Sequence, residues 1–181
     1  MMPAIADQEF PQGYPEHLGG SFGLRDGRTV LIRPILPSDA TELAEAIENA
    51  DSETLLHRFF TAAPHITNQQ IHYLAEVDYQ RRLALIARDD DGRGVAVARY
   101  ECHPRSCIAE VAVAVDPAWR GQGLATELLS LLEEPARENG FEALDAVYLP
   151  DNHAVARVFQ HLNYGPARIE DGVASVSKEL V

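Results

Sequence analysis

Two places in this chain of 181 residues gather side chains able to do chemistry. The first is Glu110, set among Ala109, Val111, Ala112 and Val113. Small and branched apolar residues in this order mark a buried strand, and a carboxylate there is costly unless it is wet, paired or functional. Glu110 is therefore the candidate general base. The alternative is a structural glutamate at a sheet margin, or one paired with an arginine such as Arg99. The second place is Arg120-Gly121-Gln122-Gly123-Leu124-Ala125-Thr126, a glycine-rich turn that opens a helix. The first N–H groups of a helix lack internal partners, and the helix dipole favours negative charge there. Gly121 and Gly123 carry no Cβ, so the main chain can come close to a ligand. Arg120 adds charge, and the Thr126 hydroxyl lies nearby. The chemistry expected of this turn is the seating of a phosphate-bearing ligand.

These residues need a scaffold. Residues 28–33 read as a strand running into Pro34. Ser38 or Asp39 caps a helix to about Asn49, with Asp39 and Glu42 at capping-box spacing. A second helix runs over 52–60, and a third opens on a Thr67–Gln70 capping box and ends near Glu76. Strands follow over 82–88, 95–102 and 107–115, with a turn at 89–94 and a hairpin loop at 103–106. The helix after the glycine turn is expected over 122–138 as one piece, burying Leu124, Leu128, Leu131 and Leu132 and stopping at Asn139-Gly140. A strand over 141–149 leads to a helix capped by Asp151 or Asn152 and ending near Leu162. Its apolar face is Val155, Val158, Phe159 and Leu162. The last hairpin spans 167–170 and 173–177. Strands in a row, then strand, helix, strand, helix and strand, predict a mixed α/β (α+β) sheet.

Composition bounds the function. Residues 1–22 read as a flexible N-terminal arm and 23–181 as one domain. The start has no basic region followed by an apolar run, so no secretory signal is read, no apolar run is membrane-length, and a cytoplasmic location is expected. The formal net charge is −13. No basic stripe for nucleic acid appears. An acidic surface steers basic acceptors such as lysine-bearing proteins or polyamines, and it also simply keeps a protein soluble. Cys102 and Cys107 flank the hairpin loop and are expected as reduced thiols. With His103 they lack a fourth ligand, so no metal is expected.

The turn fits R/Q-x-x-G-x-G/A through Arg120, Gly123 and Ala125, and fits neither the Rossmann nor the P-loop pattern. It resembles the pyrophosphate-binding motif of the GNAT superfamily of acyl-CoA N-acyltransferases. Residues 24–40, 52–60, 76–79, 109–113 and 149–154 extend the likeness to the bacterial protein-lysine acetyltransferases (Pat-like), over about 24–180. The resemblance implies a GNAT fold, a mixed, mostly antiparallel central sheet flanked by helices. It implies transfer of acetyl from acetyl-CoA to a primary amine, a protein lysine ε-amine before others, by direct attack with Glu110 as base. It implies that the main chain at Val113 and Val115 pairs with the pantetheine arm. The amides of Gly121, Gln122, Gly123, Leu124 and Ala125 would gather on the pyrophosphate. Asn152 matches an asparagine that bonds the cofactor arm, and it also suits a helix cap.

Phe159 stands where many GNAT enzymes have a tyrosine that protonates the leaving thiolate. Water or Tyr164 would then supply that proton, or the thiolate leaves unprotonated. Phe159 also keeps open a non-catalytic CoA-binding sensor. A polyamine or aminoglycoside acceptor is a further alternative, and the protein is read as a monomer or homodimer. The acceptor is expected between the early helices and the last hairpin, faced by Arg58, Tyr73, Asp78 and Tyr79. Leu55, Leu56, Phe59 and Phe60 are expected in the core.

Overall fold

The computed structural model describes residues 9–61 and 64–180. Eight strands form one sheet: β1 (Gly20–Gly23), β2 (Thr29–Pro34), β3 (Arg82–Arg88), β4 (Gly94–Cys102), β5 (Ile108–Val115), β6 (Ala143–Tyr148), β7 (Arg168–Glu170) and β8 (Val173–Glu179). Their order is β1-β2-β3-β4-β5-β6-β8-β7. Every pairing is antiparallel except β5 with β6. Helices α1 (Ala40–Glu48), α2 (Ser52–Phe59) and α3 (Asn68–Ala75) lie between β2 and β3 in the chain. Helices α4 (Leu124–Leu131) and α5 (Glu133–Glu138) precede β6, and α6 (His153–His161) follows it.

Period-two alternation explains how the sheet takes helices on both faces. Leu83, Leu85, Tyr100, Val111 and Leu144 pack in one cluster with Leu124, Leu128 and Phe159 from α4 and α6. Ala84, the neighbour of Leu83 and Leu85, joins Ile35, Ala40, Ile71 and Ala75 on the other face, under α1 and α3. The Thr67–Gln70 capping box forms as its spacing predicts, each partner bonding the other's backbone N–H.

Three expectations are corrected. The helix after the glycine turn is two pieces, because Pro135 has no N–H to continue the ladder, and the chain tightens at Leu132. The buried leucines are accordingly 124, 128, 129 and 132, with Leu131 half-exposed. Asp39 does not cap α1 with its side chain. It turns instead to Arg33, Arg88 and the Leu36 N–H, while Glu42 accepts from the Gly94 N–H. Val155 and Val158 on the apolar face of α6 pack half-buried against the core and also line a cleft. Within the expected arm, residues 1–8 lie outside the described residues. From Tyr14 on the chain is fixed: the Tyr14 hydroxyl donates to Pro34 O, its ring meets Tyr79 edge-on, and β1 pairs with β2 across the expected boundary. Cys102 is buried, Cys107 is exposed, and both are free thiols.

Candidate active site

The site exists because β5 and β6 part company. Only Ile108, Ala109 and Glu110 pair with β6, against Ala143, Leu144 and Asp145. Beyond that point β5 stays with β4 as far as Val115, and β6 stays with β8 as far as Tyr148. The V between them is a cleft of about 640 Å³, walled by β5, the glycine turn, α2 and α6. The Val115 carbonyl accepts from Arg120 Nε instead of from β4, and Asp116 N–H bonds Val95 O on the β4 side. Alternation then turns the main chain of Val113 and Val111 toward the opening. The side chains of Val113 and Val115 pack on the core at the same time.

The glycine turn sits at the open end of the V, beyond the end of β5. Gly121 and Gly123 have φ of 73° and 88°, and Gly123 is the N-cap of α4. A Cβ at Gly121 would meet open space, so the left-handed backbone itself demands glycine here. No side chain caps α4, so the amides that open it are left for a ligand. Gln122, Ala125 and Thr126 are half-buried in the turn, and Leu124 anchors it in the core. Arg120 plays a different part from the one expected. Its Nε bonds Val115 O and its Nη2 donates to Thr54 Oγ1 at 2.7 Å, so it braces the turn against β5 and α2. The nearer charge with no hydrogen bond or ion pair among the described residues is Arg25, just after β1. Its Nε lies 3.8 Å from where a Cβ of Gly123 would stand. Nothing local in the sequence marks Arg25, because only the fold brings it to Gly123.

Glu110 occupies the last paired position before the strands part. Register aligns Arg82, Glu101, Glu110, Asp145 and Ser177 in one row across five strands. Glu101 accepts from the Tyr73 hydroxyl, and Asp145 from Ser177 Oγ at 2.5 Å. Glu110 alone of the three carboxylates has no hydrogen bond or ion pair among the described residues, and it faces the cleft. Arg99 stands beside Ala112, not Glu110, and donates to Leu74 O at 3.1 Å.

Asn152 Oδ1 caps α6 by accepting from Val155 N–H, while the residue lines the cleft. Phe159 is 3% exposed and stacks between Tyr148 and Tyr164. The Tyr164 hydroxyl is buried without a partner among the described residues, and burial pushes its pKa up. It does not reach the cleft. Tyr148 is the one tyrosine among the described residues that lines the cleft, a role not read from the sequence. Of the residues expected at the acceptor, Arg58 lines the cleft. Asp78 and Tyr79 are structural: Asp78 accepts from the amides of Gln80, Arg81 and Arg82, and Tyr79 donates to Ile35 O. Phe60 is exposed at the cleft rather than core, and Leu55, Leu56 and Phe59 are half-buried.

A left-handed glycine turn with no side-chain cap, an arginine beside it with no hydrogen bond or ion pair among the described residues, and a splayed strand suit a long ligand with a diphosphate at one end. A profile of the acetyltransferase (GNAT) family matches residues 44–164. The chain is 30% identical over 162 residues to acetyltransferase PA5475 of Pseudomonas aeruginosa, covering 87% of this chain and 86% of that protein. It is 30% identical over 160 residues to acetyltransferase Pat of Mycolicibacterium smegmatis, covering 87% of this chain but 47% of that protein, about half its length. The solved GNAT domain of S. lividans PAT superposes with a TM-score of 0.83 at 32% identity, over 92% of this chain and 99% of that one. The chain belongs to the GNAT family of acetyltransferases, with acetyl-CoA as its co-substrate.

Proposed function

We propose that this protein acetylates a lysine ε-amine of another protein, with Glu110 as general base. The observation that carries the reading is the unpartnered Glu110 carboxylate at the point where β5 and β6 separate. An ammonium has no lone pair, so a base must take a proton before the amine can attack. Bound acetyl-CoA supplies the activated acetyl group as a thioester. The amides of residues 121–125 hold its pyrophosphate, Arg25 adds the charge, and the Thr126 hydroxyl and Asn152 amide face the same cleft. The main chain of Val113 aligns the arm and presents an N–H to the thioester carbonyl. Val115 contributes less than Val113, because its carbonyl is already bonded to Arg120. Phe159 and Tyr148, whose rings stack, both form the wall of the cleft. The lysine acceptor rests on the likeness to the PAT and Pat proteins.

The turn gives a direct check. Gly123→Ala forces an L residue into left-handed backbone, at about 1–2 kcal/mol, and turns the amides that follow. Calorimetric titration with CoA should show affinity at least ten times weaker, a loss of about 1.4 kcal/mol or more. Unaltered affinity would place the diphosphate elsewhere. The acceptor is tested by incubating the protein with acetyl-CoA and a cell lysate, followed by mass spectrometry. Acetyl-lysines that depend on Glu110 are the expected result. Acetylated polyamine or aminoglycoside with no protein modification would move the assignment to small amines, and CoA binding without any acetylated product would make the protein a sensor.

A further inference from the structure

A second cavity of about 490 Å³ lies beside the cofactor cleft, under α1 and α2 and against β4 and β5. The two spaces share Thr54, Arg58, Ala114 and Val115 in their walls. Much of the second cavity is apolar, with Leu43, Ile47, Leu55 and Phe59 among its lining. Two arginines line it with no carboxylate in ion-pair contact with either among the described residues, although Glu42, Glu45, Asp51 and Asp116 line the same wall. Arg99 is 8% exposed, and Nη2 to Leu74 O is its one hydrogen bond among the described residues. That bond uses one of five N–H donors. Arg58, from α2, has no hydrogen bond or ion pair among the described residues, and its guanidinium rests over the Phe59 ring at 5.1 Å.

Two half-buried arginines elsewhere in the fold are matched. Arg33 and Arg88 share Asp39, and Arg88 also holds Glu42. Arg58 and Arg99 instead repel one another. Burial lowers the pKa of Arg99 to about 10, and the charge of Arg58 adds to that. Burial also lowers Arg58, opposed by Glu110 and Glu101, which lie beyond ion-pair range. Buried charges are ordinarily paired, so two like charges facing one cavity mark a place for an anion.

We infer that Arg58 and Arg99 seat a carboxylate carried by the acceptor, whose amine stands at Glu110. The inference rests on the proposed place of the amine. Arg58 links the two spaces, so an acceptor can put its amine in the cleft and its acid group in the cavity. The planar fork of each guanidinium matches a carboxylate. Glu42, Glu45 and Asp51 on the wall disfavour a dianion such as a phosphate monoester. The carboxylate has two sources, an acidic side chain beside the target lysine in a protein, or the acid group of a free amino acid.

Two matched pairs separate the sources: a lysine peptide with Asp or Asn beside the lysine, and free lysine against lysinamide. Charged hydrogen bonds of this kind are worth about 10- to 100-fold. The member with the acid should therefore have kcat/KM higher by about that factor in at least one pair. The preference should fall to near unity in Arg58→Gln and survive in part in Arg58→Lys. Arg99 is left in place, because its bond to Leu74 O also holds the end of α3. Binding is read apart from turnover by thermal melting with glutarate against glutaramide. Glutarate should stabilise the native protein and not Arg58→Gln. If none of the four acceptors is modified but glutarate stabilises in this Arg58-dependent way, the anion seat stands and the lysine reading falls. Equal kcat/KM within both pairs, or glutarate acting alike on native protein and Arg58→Gln, would overturn the seat.

Discussion

Glu110→Gln should lower kcat for acetyl transfer by about 10²- to 10⁴-fold, the range for losing a positioned general base. Affinity for acetyl-CoA should stay as in the native protein, because the proposed diphosphate seat, the α4 amides, is at the other end of the V. The size of the loss follows from what surrounds Glu110. Its two neighbours in the cross-sheet row are already engaged, Glu101 by Tyr73 and Asp145 by Ser177. Neither is free to take over the proton. Glutamine keeps the shape and the β5 pairing, so the variant removes the base and little else. The loss should also depend on pH in a set direction. A lysine amine has an ordinary pKa of about 10.4, so at neutral pH nearly every acceptor needs a base. As pH rises toward that value the acceptor loses its own proton, and the gap between variant and native rates should narrow. Steady-state rates from pH 7 to 10 measure this. Equal rates at pH 7 would remove Glu110 from the chemistry, and a gap that stays constant across the range would point to a role in orientation.

What the sequence made legible is what lies close together along the chain. Glu110 and the glycine turn are separated by one strand end, and the strand and helix start that carry them were legible because alternation and helix-start signals are local. The Thr67–Gln70 cap is local too, and it forms. Asp39 shows where local logic is outvoted. Its spacing to Glu42 suits a cap worth about 1 kcal/mol, but two arginines from β2 and β3 converge on it and win. Arg25 at Gly123, Tyr148 beside Phe159 and the Arg58–Arg99 pair are invisible for the same reason. Each meeting is set by strand order and register rather than by spacing in sequence. The break at Leu132 is a different kind of miss. Pro135 was present as a signal, and the leucine stripe outweighed it in reading one long helix. The GNAT resemblance supplied the fold that the elements alone left open between several α/β arrangements.

Asp39→Asn should cost the fold about 3–5 kcal/mol, the loss seen when one partner of a buried ion pair is removed. Against a total stability of about 5–15 kcal/mol for a typical domain, that is a severe change. Asp39 is 4% exposed and accepts four hydrogen bonds, two from Arg33, one from Arg88 and one from the Leu36 N–H, at 2.7–2.8 Å. Asparagine has nearly the same volume but no charge, so Arg33 would be left buried without its anion. The pH dependence carries a definite sign. Burial pushes the Asp39 carboxyl up, but the bonds from Arg33 and Leu36 and the charges of Arg33 and Arg88 outweigh it and hold it below the ordinary value. A carboxyl depressed in the folded state stabilises above its unfolded pKa and loses that contribution as pH falls through its folded one. The unfolded value is about 3.9. Urea unfolding should therefore show a constant gap between native protein and Asp39→Asn near neutral pH. The gap should shrink once pH drops below about 4, where the native carboxyl begins to lose its charge as well. The consequence reaches the active site. Arg88 ties Asp39 to Glu42 on α1, and Glu42 holds the Gly94 N–H at the edge of the second cavity. Loosening Asp39 releases α1 from the sheet on the side where the acceptor is proposed to bind. Near-native stability of Asp39→Asn at pH 7 would show that Arg33 finds another partner and that this network does not fix α1.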